Sequence, residues 1–235
     1  MRSVAGGRFN SCFYVRGRNC AFLVDCGASS MIAFRKFGID PNTVHAILIS
    51  HLHGDHFGGL PFFILDAQLV SRRTAPLTIF GPSGVRERLL AAMEILFPGS
   101  TKVERNFEIA FSELKAGVPL KIGGIEVLPY EVNHACGGSA FALRLTVDSK
   151  TLCYSGDTEW VSSLHDATQG VDLFIAESYS FEKRIKFHLD YATLALHLPE
   201  LGAKRVILTH MGTDMLTRVG ESGCEAAHDG MIISI

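Results

Sequence analysis

The sequence predicts an α/β fold in which two mixed β-sheets lie between layers of helices. Strand-like segments occur in meanders, with helices interspersed in both halves of the chain, and this order is typical of such a layered fold. Segments 46–51 and 205–210 repeat one pattern, a buried-type strand followed by a hydroxyl residue and a histidine, which favours a duplicated plan. No low-complexity segment or long linker interrupts the 235 residues, so we expect a single domain over 1–235.

In the first half, residues 12–16 and 20–25 are predicted to form a hairpin around Gly17-Arg18-Asn19, a loop with good turn chemistry. Residues 28–37 have helical spacing and stop at Gly38, which suits a C-terminal cap. The other predicted elements are a strand at 44–49, a helix at 60–70, a strand at 77–80 and a helix from 81 to 96.

In the second half, glycine-rich and proline turns divide residues 107–147 into several strands. After them we expect strands at 151–155, 171–176 and 204–209, and helices at 159–167 and 190–201. A polar loop occupies 178–188, and a last helical turn and a strand at 231–234 close the chain.

The charge and hydrophobicity of the sequence argue against some classes of function and location. The formal net charge is −2, so no global field favours nucleic acid or an anionic membrane, although a local basic patch stays open. No apolar stretch reaches the roughly 18 residues of a membrane span. Met1–Gly7 has no signal-peptide core, so the cytoplasm is the expected location.

The six cysteines include no Cys-x-x-Cys pair, which argues against a zinc ribbon or a thioredoxin-type motif. Several lie inside apolar strand-like runs, so we expect buried free thiols. Cys136 differs because it follows His134, a candidate metal ligand, by two residues.

The most informative stretch is His51-Leu52-His53-Gly54-Asp55-His56, which directly follows the predicted strand at 44–49. It therefore lies at the carboxyl end of a strand, where α/β folds tend to carry their sites. His51 and His53 point the same way in an extended segment and can reach one metal ion. Asp55 and His56, past the Gly54 turn, can face a second metal ion.

Four residues cannot fill two coordination shells, so the chain should offer further ligands at strand ends. His134, Asp157 and His210 each follow a predicted strand. Taken singly, each has a plain explanation as a loop histidine or a turn aspartate. Together with the motif they predict a composite metal centre.

These motifs resemble the metallo-β-lactamase superfamily of metal-dependent hydrolases over essentially the whole chain, and His-x-His-x-Asp-His is highly specific for it. The resemblance implies a four-layer αββα sandwich. It also implies that His51, His53 and His134 hold one metal, that Asp55, His56 and His210 hold the other, and that Asp157 bridges them. True β-lactamases usually carry a cysteine where this chain has Asp157, which disfavours a lactam substrate.

Two further residues give the chain a resemblance to the ribonuclease Z-like and small phosphodiesterase branch of the superfamily. Glu177 matches a family carboxylate, and His188, eleven residues later, matches a histidine used beside the metals. Two departures weigh against tRNA processing: the segment from His134 to Asp157 is too short for the flexible arm that grips tRNA, and Leu189-Asp190-Tyr191 replaces a Ser-Thr pair. Relatives also usually begin with an extra strand and a glycine-rich loop before the segment matching 6–10, so a first strand is expected to be missing or the start to lie at an internal methionine.

The resemblance implies a binuclear hydrolase that uses a metal-bridging hydroxide on a small-molecule or short nucleotide phosphodiester. Asp55 would orient or deprotonate the water, His188 would protonate the leaving oxygen, and Glu177 would hold the other ring nitrogen of His188. Zinc suits imidazole and carboxylate ligands, although manganese and iron also fit. A homodimer is left open.

Plainer explanations and other functions compete with this interpretation. His188 lies beside the basic stretch Lys183-Arg184-Ile185-Lys186, where a loop histidine needs no role, and Glu177 could serve only as a cap. The metal ligands alone would equally suit a lactone or thioester hydrolase. A non-catalytic scaffold is the remaining class, and the full ligand set argues against it.

Overall fold

The computed structural model describes residues 5–235, and it divides into two compact units that each contain one β-sheet. We call residues 9–114 the motif unit, and residues 5–8 with 115–235 the carboxyl unit. Residues 1–4, part of the segment in which we expect no signal-peptide core, lie outside the described residues.

The sheet of the motif unit has five strands in the order β1-β2-β3-β4-β5. The strands are β1 Phe13–Arg16, β2 Ala21–Val24, β3 Ala46–Leu48, β4 Leu77–Gly81 and β5 Ile109–Glu113. β1 and β2 form the predicted antiparallel hairpin, and every later pair is parallel. Because β2 and β3 are parallel neighbours, the residues that follow them meet at one edge of the sheet.

The helices of this unit are α1 Ser30–Lys36, α2 Gly54–Phe57, α3 Leu60–Leu69 and α4 Val85–Leu96. Phe34, Phe63 and Leu89 from α1, α3 and α4 are buried in one apolar cluster with the β3 residue Ile47. α1 ends where Gly38 has a φ of 66°, as the predicted cap requires. α4 begins at Val85, later than predicted, because Gly81 still belongs to β4.

The sheet of the carboxyl unit has seven strands in the order β12-β11-β10-β9-β8-β7-β6. The strands are β6 Leu120–Ile122, β7 Ile125–Val132, β8 Ala140–Val147, β9 Lys150–Tyr154, β10 Leu173–Glu177, β11 Val206–Thr209 and β12 Glu225–Ala226. β6 to β9 form an antiparallel meander, whereas β9 to β12 are parallel. Consequently, three loops leave the sheet at the carboxyl ends of β9, β10 and β11.

The helices of the carboxyl unit are α5 Ser163–Thr168, α6 Tyr191–His197 and α7 Thr213–Arg218. α5 starts four residues later than predicted, because Thr158 donates to Glu177 at the end of β10 and the Glu159 carboxylate accepts from Asn133, so these residues do not open a helix. α6 ends at His197, and a short 3₁₀ segment containing Pro199 follows it. The strand predicted at 231–234 is wrong: residues 231–235 form no strand, and β12 pairs with β11 instead.

The prediction of two mixed sheets with helices in both halves is confirmed. Of the predicted buried thiols, Cys26, Cys136 and Cys153 are buried, and burial raises the pKa of Cys153 to about 12. Within residues 5–235, no helix is both long and apolar enough to cross a membrane.

Candidate functional site

The histidine motif occupies the turn that follows β3 and the short helix α2. His53 precedes the first helical residue, so the chain changes from extended to helical backbone within the motif. His51 and His56 are both fully buried, and their ring centroids lie 4.1 Å apart. The ring of His53 lies 5.0 Å from that of His51. The motif unit therefore gathers its imidazoles into one compact cluster.

Asp25, the residue after β2, orients this cluster and was not singled out by sequence. Its buried carboxylate accepts hydrogen bonds from His56 Nδ1 at 2.7 Å, from the Ser50 hydroxyl at 2.9 Å and from the Ser50 amide at 2.8 Å. The Ser50 hydroxyl also lies 3.1 Å from His51 Nδ1. A carboxylate that holds Nδ1 fixes the ring and its tautomer and leaves Nε2 of His56 as the ring atom that can bind a metal, the usual arrangement of metal-binding histidines.

The carboxyl unit supplies a second cluster from three strand ends. His134 follows β7, Asp157 follows β9, and His210 follows β11. Asp157 Oδ2 lies 3.3 Å from His210 Nε2 and 4.0 Å from His134 Nε2. Both histidines thus turn Nε2 toward the same carboxylate, as expected if that carboxylate lies between two ions. His134 Nδ1 lies 2.8 Å from the carbonyl oxygen of Phe187, which fixes this ring in the same manner as Asp25 fixes His56.

Glu177 and His188 form a close pair in the same cluster. Glu177 is the last residue of β10 and is fully buried. Its Oε1 lies 2.5 Å from His188 Nδ1, and its Oε2 accepts the backbone amides of Thr158 at 2.7 Å and Leu189 at 3.3 Å. Burial lowers the pKa of His188, but the hydrogen bond and charge of Glu177, with the charge of Asp157, outweigh it, so this pKa is raised.

Tyr179 covers the His188 ring. The two rings stack with centroids 4.7 Å apart, and His188 and His210 are parallel at 5.9 Å. Gly212 permits this arrangement because a Cβ there would lie 2.8 Å from the Tyr179 carbonyl oxygen. The aromatic wall leaves His188 about a quarter exposed at its side chain, so the ring can still meet a ligand.

The donor chemistry of each cluster fits divalent metal ions. Ligand atoms of Asp157, Glu177, His188 and His210 all lie within 4.8 Å of one another. Imidazole with carboxylate is the donor set of zinc and similar ions.

Other sequence candidates lie elsewhere. The Cys136 thiol donates to the carbonyl oxygen of Gly138 at 3.2 Å, so it is engaged within its own loop. Among the described residues, four histidines join no group with metal-ligand geometry, as the sequence indicated: His45, His165, His197 and His228. His197 instead stacks on Trp160, with the centroids 3.7 Å apart.

Comparison with known proteins now identifies the family. The family model described as "Anti-Pycsar protein Apyc1" matches residues 2–227. The chain belongs to this family. Among curated proteins, it is 26% identical to a ribonuclease Z of Lachnoclostridium phytofermentans over 267 aligned positions, covering 92% of this chain and 85% of the relative.

Solved structures support the same fold. The metallo-β-lactamase fold protein YhfI of Bacillus subtilis matches with a TM-score of 0.76 and 20% identity, covering 98% of this chain and 94% of YhfI. The short form of human tRNase Z matches with a TM-score of 0.78 and 22% identity, covering 96% and 92%. The predicted superfamily and its ribonuclease Z-like branch are therefore confirmed, and the chain is a metal-dependent hydrolase of this fold.

Proposed function

We propose that this hydrolase is a binuclear phosphodiesterase whose two halves act as one functional domain. His51, His53 and His134 would hold one ion, while Asp55, His56 and His210 would hold the other. Asp157 would bridge the two ions. Three observations support this assignment. The motif alone has too few ligands for two ions, Nδ1 of His56 and Nδ1 of His134 are each held by a hydrogen bond, and the order of the ligands along the chain matches the superfamily. Zinc is the proposed metal, with manganese and iron as the other ions that suit these donors.

The observation that carries the phosphodiester assignment is the buried Glu177 carboxylate held 2.5 Å from His188 Nδ1. A fully buried carboxylate is costly unless hydrogen bonds satisfy it, and three donors converge on this one. The pair keeps a proton on Nδ1 and leaves Nε2 of His188 to act on substrate. A lactone or thioester hydrolase that used the metals alone would not need a buried carboxylate paired with His188.

When bound, the metal ions would polarise a phosphoryl oxygen and lower the pKa of a water molecule toward neutrality. Asp55 would orient that water and accept its proton. His188, kept protonated by Glu177, would donate the proton on Nε2 to the leaving oxygen. Glu177 would stabilise the positive charge of the ring until that transfer, and Tyr179 would hold the ring plane.

The proposed substrate is a small molecule or a short nucleotide containing a phosphodiester. Lys183, Arg184 and Lys186 are exposed in the loop that leads to His188, and none of them forms an ion pair within the described chain. These cations would attract an anionic substrate. The short segment between His134 and Asp157 offers no room for a tRNA-gripping arm, so tRNA is not the proposed substrate. A cytoplasmic location is proposed, and a homodimer is an option for the assembly.

A substrate panel tests the assignment. Metal-loaded protein should hydrolyse bis-p-nitrophenyl phosphate and leave lactones and thioesters largely intact. Hydrolysis of a lactone or thioester with inactivity toward every phosphodiester would overturn the proposal in favour of a different ester hydrolase. Absence of bound metal after reconstitution, with no hydrolysis of any kind, would indicate a scaffold.

A further inference from the structure

Glu159 joins three loops of the carboxyl unit through one carboxylate. Its Oε1 accepts a hydrogen bond from the side-chain amide of Asn133, and its Oε2 accepts the backbone N–H of Phe187 at 3.3 Å. Its own backbone N–H donates to the Asn133 carbonyl oxygen at 3.2 Å. Asn133 immediately precedes His134, and Phe187 immediately precedes His188. The three loops linked by Glu159 thus carry the proposed metal ligands His134 and Asp157 and the proposed acid His188.

The backbone of Phe187 connects the Glu159 carboxylate to the imidazole ring of His134. Phe187 has a φ of 69°, a left-handed conformation that is unusual for a bulky residue and needs support from its surroundings. Its N–H donates to Glu159, while its carbonyl oxygen lies 2.8 Å from His134 Nδ1. The backbone of the next residue, His188, is also tied, because its N–H donates to the Ile185 carbonyl oxygen at 3.0 Å. Any change in the φ and ψ angles of Phe187 would therefore move the acceptor of His134 and the start of His188 together.

We propose that Glu159 is a positioning residue that holds Phe187 in its left-handed conformation and thereby sets both the proposed metal ligand His134 and the proposed proton donor His188. The inference rests on the proposed function for the roles of these two histidines. The hydrogen bonds of Glu159 and Phe187 do not depend on that function.

The chemistry of the two partners requires a carboxylate at position 159. Both the Asn133 amide and the Phe187 N–H are donors, and a carboxylate offers an acceptor oxygen to each. A glutamine has one acceptor oxygen, and its NH₂ group would face a donor. Glu159→Gln therefore releases one of the two loops while preserving size and most of the packing.

The test compares Glu159→Gln with Glu131→Gln, which neutralises an exposed carboxylate on β7 close to Asn133. The first measurement is hydrogen exchange of the 185–189 backbone in metal-free protein, where Glu159→Gln should speed exchange at the Phe187 amide. The second is zinc affinity by competition with a chelator, which should fall about tenfold, as expected for loss of a contact that orients a ligand. The control should change neither quantity.

The third measurement separates positioning from general destabilisation. Bis-p-nitrophenyl phosphate has a good leaving group and diphenyl phosphate a poor one, so only the latter depends strongly on proton donation. With Glu159→Gln saturated with zinc, kcat for diphenyl phosphate should fall on the order of tenfold more than kcat for bis-p-nitrophenyl phosphate. A lower melting temperature with unchanged zinc affinity and an unchanged ratio of the two rates would overturn the proposal and leave Glu159 a structural brace.

A second variant keeps the test decisive if Glu159→Gln does not fold. Asn133→Asp places a carboxylate against that of Glu159 and loosens the same junction from the opposite side, so it should shift exchange, zinc affinity and the rate ratio in the same directions. No shift in any of the three would also overturn the proposal. Failure of the proposed function would look different, because the wild-type protein would then bind no zinc or cleave neither diester, whatever residue occupied position 159.

Discussion

His188 Nδ1 lies 2.5 Å from Oε1 of Glu177, and that carboxylate is completely buried at the end of β10. Glu177 also binds the amides of Thr158 and Leu189, so its position is set by the loops on either side of it. In the proposed mechanism its role is to orient one imidazole and hold a proton on it. The proposal of a phosphodiesterase, as opposed to another hydrolase with the same metal ligands, rests on this pair.

Replacing His188 tests its role as proton donor. His188→Ala should retain bound metal and lower kcat for a phosphodiester with a poor leaving group by about 10²–10⁴-fold, because general acid catalysis is lost. Metal content by elemental analysis and kcat for diphenyl phosphate check this. His165→Ala, which removes an exposed histidine, is the control. Loss of metal from His188→Ala would instead make His188 a ligand.

The charge of Glu177 should be visible in the titration of His188. Burial lowers the His188 pKa, while the hydrogen bond and charge of Glu177 raise it to a net upward shift. Glu177→Gln removes the raising charge, so the pKa of His188 should fall and the ring should lose its proton at a lower pH. NMR titration of the histidine ring in metal-free protein measures this directly. An equal or higher pKa in the variant would contradict the assigned cause.

Asp25 should affect metal affinity without touching the metal. Asp25→Asn leaves one acceptor oxygen where the carboxylate accepts hydrogen bonds from both Ser50 and His56 Nδ1. Zinc affinity should therefore fall about 10–100-fold. Chelator competition measures the change, and Glu104→Gln, an exposed neutralisation in the same unit, should have no effect. Unchanged affinity in Asp25→Asn would show that the orientation of His56 has another source.

Gly27 should tolerate no side chain. A Cβ there would lie 2.2 Å from the Asp55 carbonyl oxygen and 2.4 Å from the Asn10 Cβ, so Gly27→Ala must displace the backbone of the motif. We expect a loss of about 1–3 kcal/mol in the free energy of unfolding, with weaker zinc binding. Chemical denaturation gives the first value. Gly220→Ala, where a Cβ meets open space, should be close to neutral, and similar stability of the two variants would refute the packing argument.

The basic loop should act on substrate capture and not on chemistry. The double variant Lys183→Gln/Lys186→Gln should lower kcat/KM several-fold at low salt with little change in kcat, and the difference should shrink as salt screens the charges. Lys115→Gln/Lys121→Gln removes two exposed cations from elsewhere in the carboxyl unit and is the control. An equal effect of the two pairs would exclude a specific role for the loop.

The sequence predicted the strands around the site well because their apolar runs end in residues that packing does not explain. β3 ends before the histidine motif, and β9 and β11 end before Asp157 and His210, as the patterns indicated. The residues that orient the ligands could not be found in this way. Asp25 sits in a run that also suits a plain strand end, and only the parallel pairing of β2 with β3 brings it to Ser50 and His56.

Glu159 and Phe187 were missed for a different reason. Their importance lies in long-range backbone contacts, and neither a side-chain type nor a spacing signals that a phenylalanine adopts a positive φ. The helix predicted at 159–167 begins only at Ser163 for the same reason, since the hydrogen bonds of this loop to Asn133 and Phe187 replace helical ones. A Gly or Asn at position 187 would have indicated a positive φ there, whereas a phenylalanine gives no such signal.

The central claim, a two-metal phosphodiesterase, is tested most directly by titrating metal-free protein with zinc while following hydrolysis of bis-p-nitrophenyl phosphate. Activity should rise with added zinc and reach its maximum at about two equivalents per chain, since both ligand sets must be filled. Maximal activity at one equivalent, or a rate independent of zinc, would contradict the claim.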